Sequence, residues 1–345
     1  MIRVSSLMRA SALTAATAAL AVSFPAVGGA LPFGVAHRIA LTGGSPVAAL
    51  AFAPDGKTAY AAAGDELRAF DVATGAPADA VKVPGPVVGL AASSDDGGSL
   101  YAAVSSPARL LFLGLRPLRI RSSVSLRGGA PSALLYVPGE HALYVASRAG
   151  HSVVRLDADG GKTAAVAHLS GDLGQMAGDG RGTVYVANAA SNAIDVIATA
   201  KMTSTGAIPT PGCQAPTGLD LDPVGRRLFV ACGNGVALVV DTDMGFAFEQ
   251  LPIQKGTALQ TVFAFHPNGP GGWKGGAFIA GGGTALDGIR MNAFISYTGA
   301  GSMPLPARAT ALAISAAAGQ LWVALDSGQQ SGVEILALGA SGGSK

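Results

Sequence analysis

The chain has 345 residues, of which 13% are charged and 49 are glycine, with 23 Lys+Arg against 21 Asp+Glu. A charge balance this close to neutral predicts neither nucleic acid nor an anionic membrane surface as a partner. Many turns combined with many small apolar residues indicate a β-rich chain and argue against a helical one.

Residues 1–30 predict a secretory signal peptide. Arg3 and Arg9 come before an Ala-rich apolar run, which is the layout of an export signal. Cleavage is predicted after Ala30, with Ala36 as the second possible position. The alternative is an uncleaved anchor, but alanines and threonines make a weak hydrophobic span for the roughly 20 residues that a bilayer core requires.

The mature protein, residues 31–345, is predicted to be one domain that is periplasmic or secreted and has no membrane span. Loss of the first thirty residues removes two arginines and no acid, so 21 residues of each charge remain. We see no Ser/Pro-rich linker that would divide these residues, although they exceed the usual size of one simple core. A repeat architecture resolves that conflict.

One structural unit recurs along the chain. The segment LAFAPDG at 50–56 aligns without gaps with FAFHPNG at 263–269. Each unit carries an aromatic residue in its second apolar stretch, at spacings of 41, 43, 41, 44, 49 and 44 residues. These aromatics are Tyr60, Tyr101, Tyr144, Tyr185, Phe229, Phe278 and Trp322. Seven copies with a period near 44 predict an all-β, seven-bladed β-propeller of four-stranded antiparallel blades.

The first unit predicts four strands, which we name A to D from the centre outwards: Val47–Ala53, Ala59–Ala63, Leu67–Val72 and Ala80–Val83. Strand C ends in an Asp-containing turn, and the same turn recurs after Asp157 and Asp241. Aspartate side chains accept hydrogen bonds from turn amides, so we interpret these residues as structural caps.

The fourth unit reads Tyr185-Val186-Ala187-Asn188 and continues as AASNAIDVI. Here the sequence resembles the YVTN-type β-propeller repeat family, with related copies at Tyr144 to Ser147 and at Phe229 to Cys232. The resemblance covers nearly the whole mature chain and implies the propeller fold. It does not imply a function, because propellers of this type look like binding scaffolds as often as enzymes.

In a propeller, the loops from D to A and from B to C share one face around the central channel, and ligands generally meet that face. The polar residues predicted there are Glu66, Arg148, His151, Asn188, Asn192, Asn234 and Gln329. Units three to five supply the densest run, so the predicted ligand-binding residues are Arg148, His151, Asn188, Asn192 and Asn234. Amides and a guanidinium suit recognition of carbonyl or carboxylate groups. The alternative for each residue is an ordinary solvated loop side chain.

No cofactor and no metal site is predicted. The five histidines fall in different units without a metal-ligand spacing, and His266 is interpreted as structural. The inner strands carry only two acids, Asp220 and Asp222, both in one blade. There is no Cys-x-x-Cys-His motif for haem.

Cys213 and Cys232 are the only cysteines, and an exported compartment permits their oxidation. A hairpin of strands A and B places Cys232 opposite roughly Thr217, with Cys213 in the preceding loop on the same face. We predict a disulfide between them; two buried free thiols are the alternative.

The last unit offers only three strands, near Thr310–Ser315, Leu321–Ala324 and Val333–Leu338. The segment His37–Leu41 is therefore predicted to supply the fourth strand and to pair with residues 333–338. This interlocked closure would remove an exposed sheet edge.

The predicted function is a non-catalytic binding scaffold, a monomer that recognises a protein, peptide or small-molecule ligand at the shared loop face. One rival is a propeller hydrolase acting on a lactone or sugar-derived ring, with His151 as the obvious proton carrier. Another is an accessory subunit of an exported redox enzyme. Titratable groups clustered at the channel mouth would favour the hydrolase, and a smooth apolar channel would favour the scaffold.

Overall fold

The computed structural model describes residues 31, 33–42, 45–93, 98–222, 224–251, 253, 259–265, 275–281, 283–291, 297–315, 317–326, 328 and 332–340. The predicted signal peptide, His266 and Gln329 lie outside the described residues. In the described part of the chain, 28 strands form seven four-stranded antiparallel sheets.

The N-terminal strand is β1 (Phe33–Thr42), and it belongs to the last sheet. The other strands follow in chain order, four to a sheet, and each sheet is one blade. Blade one contains β2 (Val47–Phe52), β3 (Thr58–Ala63), β4 (Glu66–Asp71) and β5 (Pro77–Lys82). Blade two contains β6 (Val87–Ser93), β7 (Ser99–Val104), β8 (Arg109–Leu115) and β9 (Leu118–Ser125). Blade three contains β10 (Pro131–Val137), β11 (Ala142–Ser147), β12 (Ser152–Asp157) and β13 (Thr163–His168).

Blade four contains β14 (Leu173–Gly178), β15 (Thr183–Asn188), β16 (Ala193–Ala198) and β17 (Thr203–Pro209). Blade five contains β18 (Pro216–Asp222), β19 (Arg227–Cys232), β20 (Ala237–Asp241) and β21 (Phe246–Gln250). Blade six contains β22 (Leu259–Phe265), β23 (Gly276–Gly281), β24 (Ala285–Met291) and β25 (Tyr297–Pro304). Blade seven contains β26 (Arg308–Ser315), β27 (Gln320–Asp326) and β28 (Gly332–Ala340), with β1 as its outer strand.

The prediction of an all-β propeller is confirmed. The strand boundaries differ from the predicted ones by one to a few residues; for example, the outer strand of blade one begins at Pro77 and not at Ala80.

The core lies between the blades, which pack face to face. Strand B is therefore buried on both of its faces, and β23 has no exposed residue. The repeated aromatics lie at this position, and Tyr60, Phe229 and Trp322 are fully buried. An aromatic side chain buries about 150–250 Å², so one such residue in each blade gives every blade interface a large apolar contribution. The outer strands are mostly exposed, as in β5.

Blade seven is completed by both ends of the chain. β1 pairs antiparallel with β28, with His37 opposite Ala337 and Leu41 opposite Val333. This is the pairing predicted for His37–Leu41, extended at both ends. Ile39 and Leu41 are buried, so the N-terminal strand also contributes apolar contacts.

Strand A carries a β-bulge near its start in each of the seven A–B hairpins of the described chain. In blade five the bulge falls between Pro216 and Gly218, so Cys232 pairs with Pro216. The predicted partner Thr217 was therefore wrong by one residue, because a bulge adds a residue to one strand of a pair. A bulge also turns its extra side chain in a new direction.

Candidate functional site

The central channel contains a cavity of about 190 Å³. It is lined by strand A residues of six blades, including the bulge residues Ala48, Val88, Ser132 and Thr310. Among these lining residues there is no acid, base, histidine or cysteine. The cavity is also smaller than the roughly 300–1,000 Å³ of typical ligand pockets. The described lining of this cavity thus supplies no proton carrier for a hydrolytic reaction.

The polar side chains of the channel bond to the protein. Ser132 Oγ donates to the carbonyls of Ala146 (3.3 Å) and Leu173 (3.2 Å), the second of which belongs to the next blade. Gln175 Oε1 accepts a hydrogen bond from Leu219 N at 3.0 Å, again across a blade boundary. These groups tie inner strands together. The sequence alone does not single out Gln175, because its position within a bulge gives no local signal.

The predicted residues lie on the face formed by the D–A and B–C loops, where each of the five contacts a D–A loop. Arg148 forms an ion pair with Asp172, and both side chains are substantially exposed. His151 Nδ1 is 2.7 Å from the carbonyl oxygen of Gly171. Gly171 and Asp172 belong to the loop that connects blade three to blade four, so both B–C loop side chains hold that connection.

Asn188 holds the same loop from the side of blade four. Its amide Nδ2 donates to the carbonyl of Ser170 (2.6 Å) and to Asp195 Oδ2 (2.8 Å). Asn188 is only 1% exposed. It is therefore a buried structural amide in this structure, although its place beside the B–C loop predicts a ligand-binding residue. The loop at 169–172 is fixed by two blades at once.

The next D–A loop, residues 210–215, is fixed in the same manner. Asn192 Oδ1 accepts a hydrogen bond from Ala215 N at 2.8 Å. Asn234 Oδ1 accepts one from Gln214 N at 3.1 Å, and its Nδ2 donates to the carbonyl of Gly212 at 2.9 Å. Asn192 and Asn234 remain exposed. Side chains from blades four and five therefore hold one connection between them.

Cys213 and Cys232 are joined by a disulfide, with their Cα atoms 5.4 Å apart. The bond links the 210–215 loop to the end of β19. It adds a covalent tie to the part of the face that the asparagines already hold. The predicted geometry, in which the loop folds back toward Cys232, is the one observed.

Backbone conformation explains part of the choice of residues. His151 (φ 45°) and Asn192 (φ 51°) lie in the left-handed region at the end of their B–C turns. Blades one and five use Gly64 and Gly235 for positive φ in the corresponding turns. Asn and His enter this region more readily than most residues. The left-handed conformation of the turn is therefore by itself a reason for His and Asn at these two positions.

One carboxyl near this face has a shifted pKa. Burial raises the pKa of Asp195, and the hydrogen bond from Asn188 opposes that rise. Of the other predicted residues, Glu66 pairs with Arg68 of its own strand at 2.8 Å. Asp222 is fully buried and accepts hydrogen bonds from Val224 N and Gly225 N, so it caps a turn.

A chain of hydrogen bonds on the opposite face was not recognised from the sequence. Ser93 Oγ donates to Tyr136 Oη (3.0 Å), Tyr136 Oη lies 3.3 Å from His141 Nδ1, and His141 Nε2 lies 2.8 Å from Asp159 Oδ1. The order of groups is that of an acid–base relay. Ser93, however, is 1% exposed, so its hydroxyl does not reach a substrate. The chain joins blades two and three.

Within the residues that the structure describes, no three His, Cys, Asp or Glu side chains are grouped as metal ligands. No helix in that part of the chain is long and apolar enough to cross a membrane.

No family model matches the chain, and no curated protein matches it. Among solved structures, it is similar to the WD40 repeats of RRP9, with a TM-score of 0.74 and 14% identity over 89% of this chain and 99% of that one. It is also similar to U3-55K, with a TM-score of 0.73 and 14% identity over 88% of this chain and 98% of that one. At this identity the similarity establishes the propeller fold alone, and the YVTN-type family stays a resemblance.

Proposed function

We propose that the protein is an exported, non-catalytic binding propeller of the YVTN type. Its ligand, a protein, peptide or small molecule, contacts the D–A and B–C loop face at blades three to five. The observation that carries this proposal is the mutual fixation of those loops by Arg148, His151, Asn188, Asn192 and Asn234. Loops that are already ordered lose little conformational entropy on binding, which increases affinity.

Exposed groups remain on this surface for recognition. Arg148 is 60% exposed even though it pairs with Asp172. Asn192 uses its oxygen to hold Ala215, which leaves its Nδ2 as a donor on the exposed side chain. A guanidinium and an amide donor suit carbonyl or carboxylate groups of a ligand. The disulfide supports the assignment to an oxidising compartment, since such bonds persist outside the cytosol.

The channel argues against the hydrolase. A general base must lie within hydrogen-bond reach of the reacting group, and the lining of the 190 Å³ cavity contains no titratable residue. His151 stands on the loop face and uses Nδ1 at Gly171. Among the described hydrogen bonds of the His151 side chain, none is to a carboxylate.

The test begins with native purification of the mature protein and identification of co-purifying species by mass spectrometry. The purified species is then titrated calorimetrically into wild type and R148A/N192A. R181A is the control, because Arg181 is an exposed arginine in an A–B turn on the opposite face. We expect at least tenfold weaker binding for the double variant and a change within twofold for R181A.

A further variant separates ligand contact from loop order. N192D keeps an oxygen that accepts the hydrogen bond from Ala215 N but removes the Nδ2 donor, so weakened binding in N192D indicates direct contact. Unchanged binding in R148A/N192A would contradict the proposal. Lactone hydrolysis by wild type that is lost in H151A would replace it by the hydrolase.

A further inference from the structure

Blade two differs from its neighbours where strand C ends. In blades one, three and five this position is occupied by Asp71, Asp157 and Asp241, each of which accepts hydrogen bonds from amides of the following turn. Strand pairing places Gly114 at the same position in blade two, opposite Ser99, as Asp71 is opposite Thr58. Blade two therefore lacks the carboxylate that caps this corner elsewhere.

Arg121 fills the space above Gly114. β9 has a bulge between the residues that pair with Leu113 and Phe112, and Arg121 is its extra residue. Arg121 Nε lies 2.8 Å, and Nη2 3.0 Å, from the position that a Cβ would take on Gly114. The guanidinium thus lies against the strand backbone, and only glycine leaves room for it.

A cavity of about 250 Å³ opens beside this guanidinium, between blades one and two. We call it the Arg121 cavity. It lies on the face opposite the D–A and B–C loops. Its lining residues are Ala53, Pro54, Asp55, Gly98, Leu115, Arg116 and Arg121.

The charges in the Arg121 cavity do not cancel. Arg116 Nη2 donates to Asp55 Oδ2 at 3.1 Å and to Thr58 Oγ1 at 3.0 Å, so this arginine and Asp55 neutralise each other. The carboxylate of Asp79 accepts hydrogen bonds from the backbone N–H groups of Leu118 and Ala80, each at 2.8 Å. Arg121 forms no hydrogen bond or ion pair with any residue that the structure describes. Asp79 keeps its charge but does not line the cavity. The lining residues carry two arginines and one aspartate, so one positive charge has no counter-charge among them.

The surrounding sequence concentrates this charge. Residues 97–139 contain five arginines and no aspartate or glutamate, in a chain whose charges otherwise nearly balance. Carboxylates that could pair with Arg121 are therefore scarce in its own segment.

We propose that the Arg121 cavity binds the carboxylate of a small organic acid or of a peptide C-terminus. The guanidinium of Arg121 pairs with both carboxylate oxygens, the geometry in which arginine binds carboxylates most strongly. A single uncompensated positive charge matches a monoanion better than a phosphate dianion. Leu115, Pro54 and Ala53 give the cavity an apolar wall for a short aliphatic substituent.

The experiment is a nuclear magnetic resonance titration of the ¹⁵N-labelled mature protein with isobutyrate, with isobutyramide as the uncharged counterpart. We expect saturable shifts at Gly98, Leu115 and the Nε–H group of Arg121 with isobutyrate, and at least tenfold weaker binding of the amide. R121Q should weaken isobutyrate binding at least tenfold. R119Q is the matched control, because Arg119 is an exposed arginine on the same strand, and it should stay within twofold.

G114A tests the geometry without changing the charge. The added methyl group displaces the guanidinium, so we expect isobutyrate binding at least fivefold weaker with an unaltered thermal midpoint. A peptide ending in valine, with a free or an amidated C-terminus, distinguishes the two sources of the carboxylate. Binding of the free peptide alone assigns a protein terminus, and binding of isobutyrate alone assigns a small acid.

Three results would overturn the proposal: equal binding by R121Q and wild type, equal affinity for isobutyrate and isobutyramide, or shifts spread over all exposed arginines. Asp95 and Asp96 lie outside the described residues, so the D95N/D96N variant is titrated as well. Isobutyrate binding that occurs only in that variant would mean that Arg121 is already paired, and would also refute the site.

Discussion

The two loop faces of the propeller are held together in different ways. On the face of the A–B and C–D turns, aspartates cap their own turns, as Asp71 caps Thr74 N and Asp157 caps Gly160 N, three residues away in each case. On the face of the D–A and B–C loops, the hydrogen bonds from His151, Asn188, Asn192 and Asn234 to the D–A loops join residues 18 to 23 positions apart. The first face combines these local caps with a few ties between blades, such as Ser93 to Tyr136 and Arg116 to Asp55. On the second face, the D–A loops are held by neighbouring blades together.

This difference has energetic consequences. A capped turn can form before its blade packs, since all its partners are local. The loops between blades become ordered only when two blades are already side by side. Breaking one of the long-range ties should therefore disturb a larger part of the molecule than removing one local cap.

The longest-range tie joins the two chain ends, and deletion of residues 31–43 should have the largest effect. β1 pairs with β28 over nine residue pairs. With a net contribution of about 1 kcal/mol for each hydrogen bond, the loss should exceed about 4 kcal/mol. Thermal unfolding followed by circular dichroism measures it, with deletion of residues 341–345 as the control. An unchanged midpoint would show that the N-terminal strand does not seal the ring.

The disulfide should come next. Replacing both cysteines, in C213S/C232S, removes a crosslink over 19 residues, and the chain-entropy model gives about 3 kcal/mol for a loop of this size. Urea unfolding with and without reductant should show the same loss in reduced wild type as in the variant. Thiol titration of the unfolded, unreduced protein should find no free thiol; two free thiols would refute the bond.

A matched pair of substitutions compares the two faces directly. N188A leaves Asp195 and the carbonyl of Ser170 without a partner in a buried site, which should destabilise the protein by about 2 kcal/mol. D157A removes a local cap and should cost about 1 kcal/mol. Urea unfolding of both variants decides the order. A larger loss in D157A would contradict the idea that the ties between blades matter more.

The pH dependence of stability should have opposite signs on the two faces. Burial raises the pKa of Asp195 above its unfolded value, so its contribution to stability falls as the pH rises from about 4 through the folded pKa. The hydrogen bonds from Thr74 lower the pKa of Asp71, so its contribution is lost as the pH falls from about 4 through the folded pKa.

The variants D195N and D71N separate these two terms. Relative to wild type, D195N should become more stable between pH 4 and 7, and D71N should lose stability as the pH rises to about 4. Unfolding free energies measured from pH 3 to 7 provide the comparison. Parallel pH profiles for the two variants would contradict the assigned directions.

The repeat, and with it the fold, can be inferred from the sequence alone. The spacing of the seven aromatics, the turn aspartates and the missing fourth strand at the C-terminus are local or periodic features. They correctly predicted the propeller and the pairing of residues 37–41 with 333–338. The face on which the predicted residues lie could also be predicted, because the order of strands in a blade determines on which face each loop lies. These residues are Arg148, His151, Asn188, Asn192 and Asn234.

The contacts of those side chains depend on the three-dimensional packing of the blades. In blade five, a bulge makes Pro216 the strand partner of Cys232 in place of the predicted Thr217. In blade two, a bulge at Arg121 places its guanidinium over Gly114. Neither bulge has a clear local signal in the sequence. Asn188 and Asn192 each form a hydrogen bond with a D–A loop, to Ser170 and to Ala215 respectively. They can do so because each D–A loop lies beside the B–C loops of two neighbouring blades. Such partners lie far apart in the sequence and meet only when the ring has closed, so residue type and spacing do not reveal them.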